Sequence, residues 1–204
     1  GDIYARSSVG ASGLWQFMPA TAKQYGLIVN NEIDERYNIE KATRAACRYL
    51  KSSYSKYGDW LTVAASYNTG NNNVNKRMAA QGEDKAINLS LLPETSRYMF
   101  RLLTAKLIFS DPARYGFLLK SSDLYPPIAL SDTLEVDDAV INFTKIAKEH
   151  GLNYLLLRDA NPWIRSTSAK NPNRKKFKVN IPDKASLHYN PANTKAHNSA
   201  WVVK

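Results

Sequence analysis

The sequence lacks the features that define several classes of protein. Its single cysteine, Cys47, allows neither an intrachain disulfide nor a thiol pair for a metal, and it is expected to fill core space in a helix. The three histidines, His150, His188 and His197, lack the spacing of metal ligands, so neither a metal nor another cofactor is expected. No apolar run is long enough to cross a bilayer, and no signal-peptide pattern opens the chain, although a processed or cut secreted chain would look the same.

Acidic residues are also scarce. Asp and Glu total 18 against 28 Lys and Arg, which gives a formal net charge of +10 at pH 7. This excess favours an anionic partner such as nucleic acid, an acidic lipid face or an acidic cell-wall polymer, or it serves solubility alone. Because the chain has no recognisable motif for reading nucleic acid, we expect no nucleic-acid partner.

Residues 1–118 have the pattern of a compact, mainly α domain. Pro19 and Gly26 bracket a short helix, and Asn38 precedes a longer one. Asp59 caps the first of three more helices, over WLTVAASY, VNKRMAAQ and PETSRYMFRLLTAKLIFS, with TGNNNVN as a polar loop between the first two. The inward face of the longer helix is expected to comprise Ile39, Ala42, Ala46, Tyr49 or Leu50, Tyr54 and Tyr57.

The composition changes in residues 119–204. The stretch SSDLYPPIALSDT is expected to be a linker or an extended edge, because its paired prolines lack N–H donors. Two short helices separated by Gly151 and an alternating strand over KKFKVNIP then predict a small α/β unit. Residues 201–203 have the composition of a further strand, which the pattern leaves open.

Three separated segments place polar groups at the ends of predicted elements: SSVGASGLWQFM, AASYNTGNNNV and LPETSRY. In this order they resemble the signature of the lytic transglycosylases, which cleave peptidoglycan and are related to goose-type lysozyme. Three motifs in order are specific, whereas each alone would be weak. Because GLWQFMP has a tryptophan, the segment most resembles that of the membrane-bound type D subgroup. The residues that carry the likeness are Ser7, Gly10, Ala11, Gly13, Trp15, Gln16, Met18, Pro19, Thr21, Ala22, Tyr67, Asn68 and Gly70.

The resemblance implies a lysozyme-like (α+β class) helical domain that cleaves the MurNAc-GlcNAc β-1,4 bond of glycan strands and forms 1,6-anhydro-MurNAc. It also implies a general-acid glutamate in a Glu-Ser segment, which is expected just upstream of Gly1 and is absent from the 204 residues. Asp2 lies too near the chain end to replace it. Three further glutamates are poor substitutes because they are expected in an exposed, charged connector: Glu32, Glu35 and Glu40.

The resemblance further implies seven residues that bind the substrate or support catalysis: Ser7, Trp15, Gln16, Met18, Tyr67, Asn68 and Glu94. The serine and glutamine would bond the sugar, and the tryptophan and methionine would line the cleft. The tyrosine and asparagine would orient the general-acid glutamate and the substrate. Glu94 would tune or bridge the site. Plainer roles compete. Trp15 and Met18 are the types of residue that pack in a core, Ser7 can stabilise a turn, and Glu94 can be a first-turn charge.

The tail is similar to a LysM module, which binds chains containing N-acetylglucosamine. The likeness is carried by Ile146, Ala147, Leu156, Asn161 and Pro162. Its opening strand is poorly recognisable, and STSAKNPNRKK is long and basic for such a module. A structural appendage is therefore the alternative.

We expect a peptidoglycan lytic transglycosylase of the periplasm or outer membrane, with a segment outside these residues as a candidate membrane anchor. Two alternatives remain open. A lysozyme-type hydrolase would release a reducing sugar, and a non-catalytic wall-binding module would bind peptidoglycan without cleaving it.

Overall fold

The structure, a computed structural model, describes residues 2–125, 128–188, 190 and 194–203. Within them, five helices precede the strands: α1 (Pro19–Gln24), α2 (Ile39–Tyr57), α3 (Trp60–Thr69), α4 (Asn71–Gln81) and α5 (Pro93–Ser110). Strands and two short helices follow in the order β1 (Leu130–Val136), β2 (Val140–Asn142), α6 (Phe143–Glu149), α7 (Tyr154–Ala160), β3 (Ser168–Lys170) and β4 (Phe177–Pro182). A mainly α segment followed by a small α/β unit is therefore confirmed.

The contacts divide the chain into two compact units. The first unit comprises residues 1–47 and 127–190, and the second comprises residues 48–126 and 191–204. Each unit thus combines segments that are far apart in the sequence. The domain division after residue 118 stays a prediction.

The predicted starts of α1, α2 and α3 rest on local capping, and the structure confirms them. Pro19 is the first residue of α1, where its missing N–H leaves no unpaired donor. The backbone N–H of Lys41 donates to Asn38 Oδ1 at 3.0 Å, and that of Thr62 donates to Asp59 Oδ2 at 2.8 Å. These side chains satisfy first-turn donors that the helices leave unpaired.

The predicted inward face of α2 is partly wrong. Ala42 and Ala46 are buried, but Ile39 and Tyr54 are exposed. Cys47 is also exposed and does not fill core space. Each residue turns about 100° around a helix, so the position after Ala46 points off the buried stripe. A stripe of small residues lets the neighbouring segments approach α2 closely.

The polar loop predicted over TGNNNVN is also wrong. Gly70 alone separates α3 from α4, and Asn71 already begins α4. Gly70 has φ +91°, a conformation that side chains disfavour, and it allows the chain to reverse within one residue. Its position explains why the helix pattern resumes so soon.

The second unit has an apolar core between α3, α4 and α5. Its buried residues are Ala64, Ala65, Val74, Ala86, Leu89 and Met99. The tail returns to this unit: Trp201 Nε1 donates to the carbonyl of Phe109 at 2.8 Å. Residues 199–201 form a 3₁₀ turn, and the described residues of the tail contain no strand.

The α/β part of the first unit has two antiparallel strand pairs, β1 with β4 and β2 with β3. The opening strand is thus present, and its first four residues, 130–133, come from the predicted linker stretch. The paired prolines, Pro126 and Pro127, lie outside the described residues. The core of this part includes Phe143, Leu157, Trp163, Ile164, Phe177 and Val179, joined by Ile33 and Tyr37 from the connector before α2.

Asn161 is expected to be essential for this core. It is fully buried, its amide donates to the carbonyls of Leu157 (2.8 Å) and Asn180 (2.7 Å), and its oxygen accepts the N–H of Asn180 at 2.8 Å. Asn161→Ala should lower the free energy of unfolding by about 2–4 kcal/mol, because it leaves buried backbone groups unpaired. Chemical denaturation measures this change. Asn173→Ala, at an exposed position, is the control, and an equal effect of both variants would contradict the assignment.

Candidate functional site

The first candidate segment is a tight loop between Arg6 and Phe17. The N–H of Ser7 donates to the carbonyl of Ala11 at 2.9 Å, and the N–H of Ala11 donates back to Ser7 Oγ at 2.9 Å. Isolated antiparallel bridges join Ser12 to both ends of the loop. Ser7 therefore stabilises the turn as an acceptor, and its own hydroxyl hydrogen is left for another partner.

Gln16 has an unusual backbone conformation in this loop. Its φ is +49°, a left-handed conformation that few residues other than glycine adopt. Its amide nitrogen donates to the carbonyls of Gly13 at 2.7 Å and Ala5 at 3.2 Å. No described residue donates to its exposed Oε1. Backbone strain clusters at functional sites, so this outlier supports a role in binding a ligand.

Trp15 and Met18 differ in exposure. The indole N–H of Trp15 donates to Thr43 Oγ1 at 2.8 Å, and its half-buried ring packs against the alanine stripe of α2. These are the contacts of a core anchor, and a role of Trp15 against sugar stays a prediction. Met18 is 42% exposed immediately before α1, where its thioether is accessible to a ligand.

Arg36 holds the loop in place, and sequence reasoning missed it. Its guanidinium donates to both carboxylate oxygens of Asp34, at 2.9 and 2.7 Å. The remaining nitrogen donates to the carbonyl of Gly10, inside the loop, at 2.7 Å and to that of Phe17, at its end, at 3.1 Å. Asp34 and Arg36 are both buried. The sequence offers only an Asp-x-Arg spacing within a charged stretch, which carries no sign of burial.

Gly13 is required by the same contact. A Cβ atom there would lie 2.1 Å from the carbonyl oxygen of Arg36, and its φ is +76°. Any larger residue would push the loop away from Arg36.

The expectation that the connector glutamates are exposed is wrong for Glu35. Its carboxylate is buried, accepts the N–H of Ile28 at 2.8 Å and pairs with the Lys41 ammonium. Glu32 is half-buried and accepts the N–H of Lys170 at 2.8 Å. Glu40 is exposed, as expected. Two of the three carboxylates are therefore committed to backbone donors, which the charge pattern alone did not predict.

Tyr67 and its neighbours form the second candidate segment. The rings of Tyr67 and Tyr49 meet edge to face, with centroids 5.2 Å apart. Burial, followed by the nearby Tyr98 and Tyr49, raises the pKa of Tyr67 well above its usual range. The phenol is therefore neutral and able to donate a hydrogen bond at any physiological pH. Asn68 is half-buried beside it.

Glu94 occupies the first turn of α5, where it is exposed. It precedes Tyr98 by one helical turn, so both side chains lie on the same face of α5. Burial raises the pKa of Tyr98 as well. A tuning role for Glu94 stays a prediction, as does its plainer role as a first-turn charge.

The structure thus divides the seven predicted residues between the units. Ser7, Trp15, Gln16 and Met18 belong to the first unit, and Tyr67, Asn68 and Glu94 belong to the second. A common groove for both sets stays a prediction.

Comparisons with known proteins identify the two segments. Residues 1–90 match the family model described as Transglycosylase SLT domain, and residues 132–185 match Soluble lytic transglycosylase C-terminal LysM-like domain. The chain therefore contains a transglycosylase SLT domain and a LysM-like C-terminal domain. The resemblance seen in its motifs, including that of the tail, is confirmed.

Curated relatives of this chain come from bacteria and phages. Membrane-bound lytic murein transglycosylase D of Escherichia coli K12 is 29% identical over 175 residues, which cover 82% of this chain and 37% of the relative. A putative tributyltin chloride resistance protein of Alteromonas sp. strain M-1 is 30% identical over 67% of this chain and 65% of its own length. Peptidoglycan transglycosylase gp16 of phage T7 is 35% identical over 48% of this chain and 8% of its own length. The chain thus spans about 37% of the length of the type D relative.

None of the helices in the described part of the chain has the length and apolar character needed to cross a membrane. Those residues also contain no group of three or more His, Cys, Asp or Glu side chains placed to hold a metal.

Replacing Arg36 should test how strongly the loop depends on it. Arg36→Met should lower the free energy of unfolding by about 3–5 kcal/mol, because it leaves the buried Asp34 carboxylate without its partner. Arg44→Met removes an exposed pair with Glu40 and should cost less than about 0.5 kcal/mol. Denaturant titration of both variants measures the difference. Equal losses would contradict the role given to Arg36.

Tyr67 should also make stability depend on alkaline pH. Its pKa is raised in the folded state, so its contribution is fully present below the unfolded value of about 10 and is lost as pH rises towards the folded value. Tyr67→Phe should therefore show a smaller decrease in melting temperature than the parent chain between about pH 9 and about pH 11. The melting temperature of Tyr115→Phe should decrease as much as that of the parent chain, because this tyrosine is exposed. Parallel curves for the parent and Tyr67→Phe would contradict the prediction.

Proposed function

We propose that this lytic transglycosylase cleaves the β-1,4 bond between MurNAc and GlcNAc in peptidoglycan strands and releases a 1,6-anhydro-MurNAc end. The observation that carries the proposal is the conformation of Gln16. Its two internal hydrogen bonds hold the amide nitrogen of this exposed side chain, and no described residue donates to Oε1. An acceptor fixed in this way suits the N–H or hydroxyl of an amino sugar.

The chemistry requires a proton donor at the glycosidic oxygen. The family resemblance assigns this role to a glutamate ahead of Ser7, which must stay protonated near neutral pH. The bond from the anomeric carbon to the leaving oxygen breaks as that oxygen takes the proton. The acetamido group of MurNAc assists, and the C6 hydroxyl then attacks the anomeric carbon. The same carboxylate takes the hydroxyl proton, so no water is consumed.

Ser7, Gln16 and Met18 would contact the sugar in this scheme. Ser7 retains a hydroxyl hydrogen for a ligand, and Met18 is exposed immediately before α1. Tyr67 would act as a neutral donor that orients the substrate or the glutamate, which its raised pKa supports. Asn68 would assist it, and Glu94 would tune the site.

The names of the curated relatives support a location in the bacterial envelope. Peptidoglycan lies in the bacterial envelope, so the protein would act in the periplasm or at the outer membrane. The LysM-like segment would hold the glycan strand, and the net charge of +10 would attract its anionic peptide stems.

Digestion of isolated sacculi tests the proposed reaction. The 204-residue chain and the full product of its gene are compared, and the soluble muropeptides are analysed by mass spectrometry. Anhydro products, one water lighter than reducing ones, are expected from the full product. Reducing ends would instead show a hydrolase, and retention on sacculi without release by either protein would show a binding module.

Substitution of Gln16 should separate activity from stability. Gln16→Gly removes the side-chain amide but relieves the left-handed strain of about 1 kcal/mol, which offsets part of the two lost hydrogen bonds. We expect muropeptide release to fall about tenfold or more while the melting temperature changes little. The control is Gln24→Ala, which removes a glutamine side chain from α1 without placing a glycine in the helix. Release at the parental rate by Gln16→Gly would contradict the role of this side chain.

A further inference from the structure

The first unit contains a cavity that none of the seven predicted residues lines. It has a volume of about 420 Å³ and is open to solvent. Three basic side chains, Arg6, Lys23 and Arg165, contribute to its wall. They come from the loop before α1, from α1 itself and from the segment before β3.

The charges around this cavity are unbalanced. Asp34 also lines it, but both of its carboxylate oxygens are bonded by Arg36. Among the described residues, no carboxylate lies within ion-pair distance of Arg6, Lys23 or Arg165. The cavity therefore has an excess of three positive charges.

The wall of the cavity contains one buried polar group without a partner. Ser12 is 1% exposed, and its hydroxyl makes no hydrogen bond with any described residue. A buried hydroxyl in this state costs free energy unless a ligand or water bonds it. Arg165 is held above the Tyr37 ring, with 4.7 Å between its guanidinium carbon and the ring centroid. This stacking fixes one of the three cations over the cavity.

We propose that this basic cavity binds a carboxylate of a peptide, with Arg6, Lys23 and Arg165 paired to the anion and the Ser12 hydroxyl bonded to it. Arginine matches the two oxygens of a carboxylate with two parallel donors. That the peptide is a wall peptide stem rests on the proposed function. The need for an anion rests on the cavity alone.

Titration calorimetry with a synthetic wall peptide tests this site. The peptide is used with free carboxylates and with all carboxylates amidated, and inorganic phosphate is titrated as a second anion. The parent chain should bind the free peptide and should bind its amidated form at least about tenfold more weakly. Equal binding of both peptides, or tighter binding of phosphate at the same site, would overturn the proposal.

Two sets of charge substitutions locate the binding. Arg6→Gln, Lys23→Gln and Arg165→Gln combined should raise the Kd for the peptide about tenfold or more. Arg101→Gln, Lys106→Gln and Arg114→Gln remove the same charge from exposed positions in the second unit and should change the Kd little. Equal effects of the two triple variants would show attraction by net charge alone and overturn the site.

Ser12→Ala gives a readout that does not depend on charge. Because the buried hydroxyl has no partner in the free protein, its loss should not lower the melting temperature and should still weaken peptide binding. Unchanged affinity would overturn the assignment of Ser12 to the ligand.

Sacculus digestion keeps this proposal separate from the proposed function. Anhydro products without peptide binding by the parent would overturn the cavity alone. Peptide binding by the cavity with no release of muropeptides would support the cavity and count against the proposed reaction.

Discussion

The buried pair of Asp34 and Arg36 is the interaction on which the candidate site depends. One guanidinium neutralises the carboxylate and also holds the carbonyls of Gly10 and Phe17, so charge compensation and loop geometry come from the same group. The pair contributes to two candidate sites. Arg36 contacts the loop that contains Ser7 and Gln16, and both residues of the pair help to line the basic cavity. A buried pair of this kind is a weak source of stability but a strong constraint on conformation.

The sequence predicts the helices well because their signals are local. Pro19, Asn38, Asp59 and Pro93 each act within one turn of the helix they begin, so spacing alone locates them. Burial depends on distant partners and was predicted less well. Nothing in the sequence around Cys47 shows that the buried face of α2 includes Ala46 but not Cys47. The single-residue turn at Gly70 was missed because the asparagines that follow it are typical of loops.

The candidate site shows the same division. Its motif residues could be located from their spacing, but their conformations could not. The left-handed backbone of Gln16 and the closeness of Gly13 to Arg36 follow from the folded loop, not from a residue type. Arg36 and the buried Glu35 depend on partners elsewhere in the chain, such as Gly10 and Lys41. The basic cavity depends on contacts between segments more than one hundred residues apart, such as Arg165 with Tyr37. Local sequence patterns do not predict such contacts.

Ile33 and Tyr37 give the small α/β part a composite core. Both side chains pack with Trp163, Ile164 and Phe177, although they precede that part by about a hundred residues of chain. The backbone N–H of Asp34 also donates to the carbonyl of Trp163 at 2.9 Å. The LysM-like segment is therefore not a self-sufficient module in this protein. Grafted alone onto another carrier, it would expose the apolar surface that Ile33 and Tyr37 cover, which limits its use as an exchangeable wall-targeting tag.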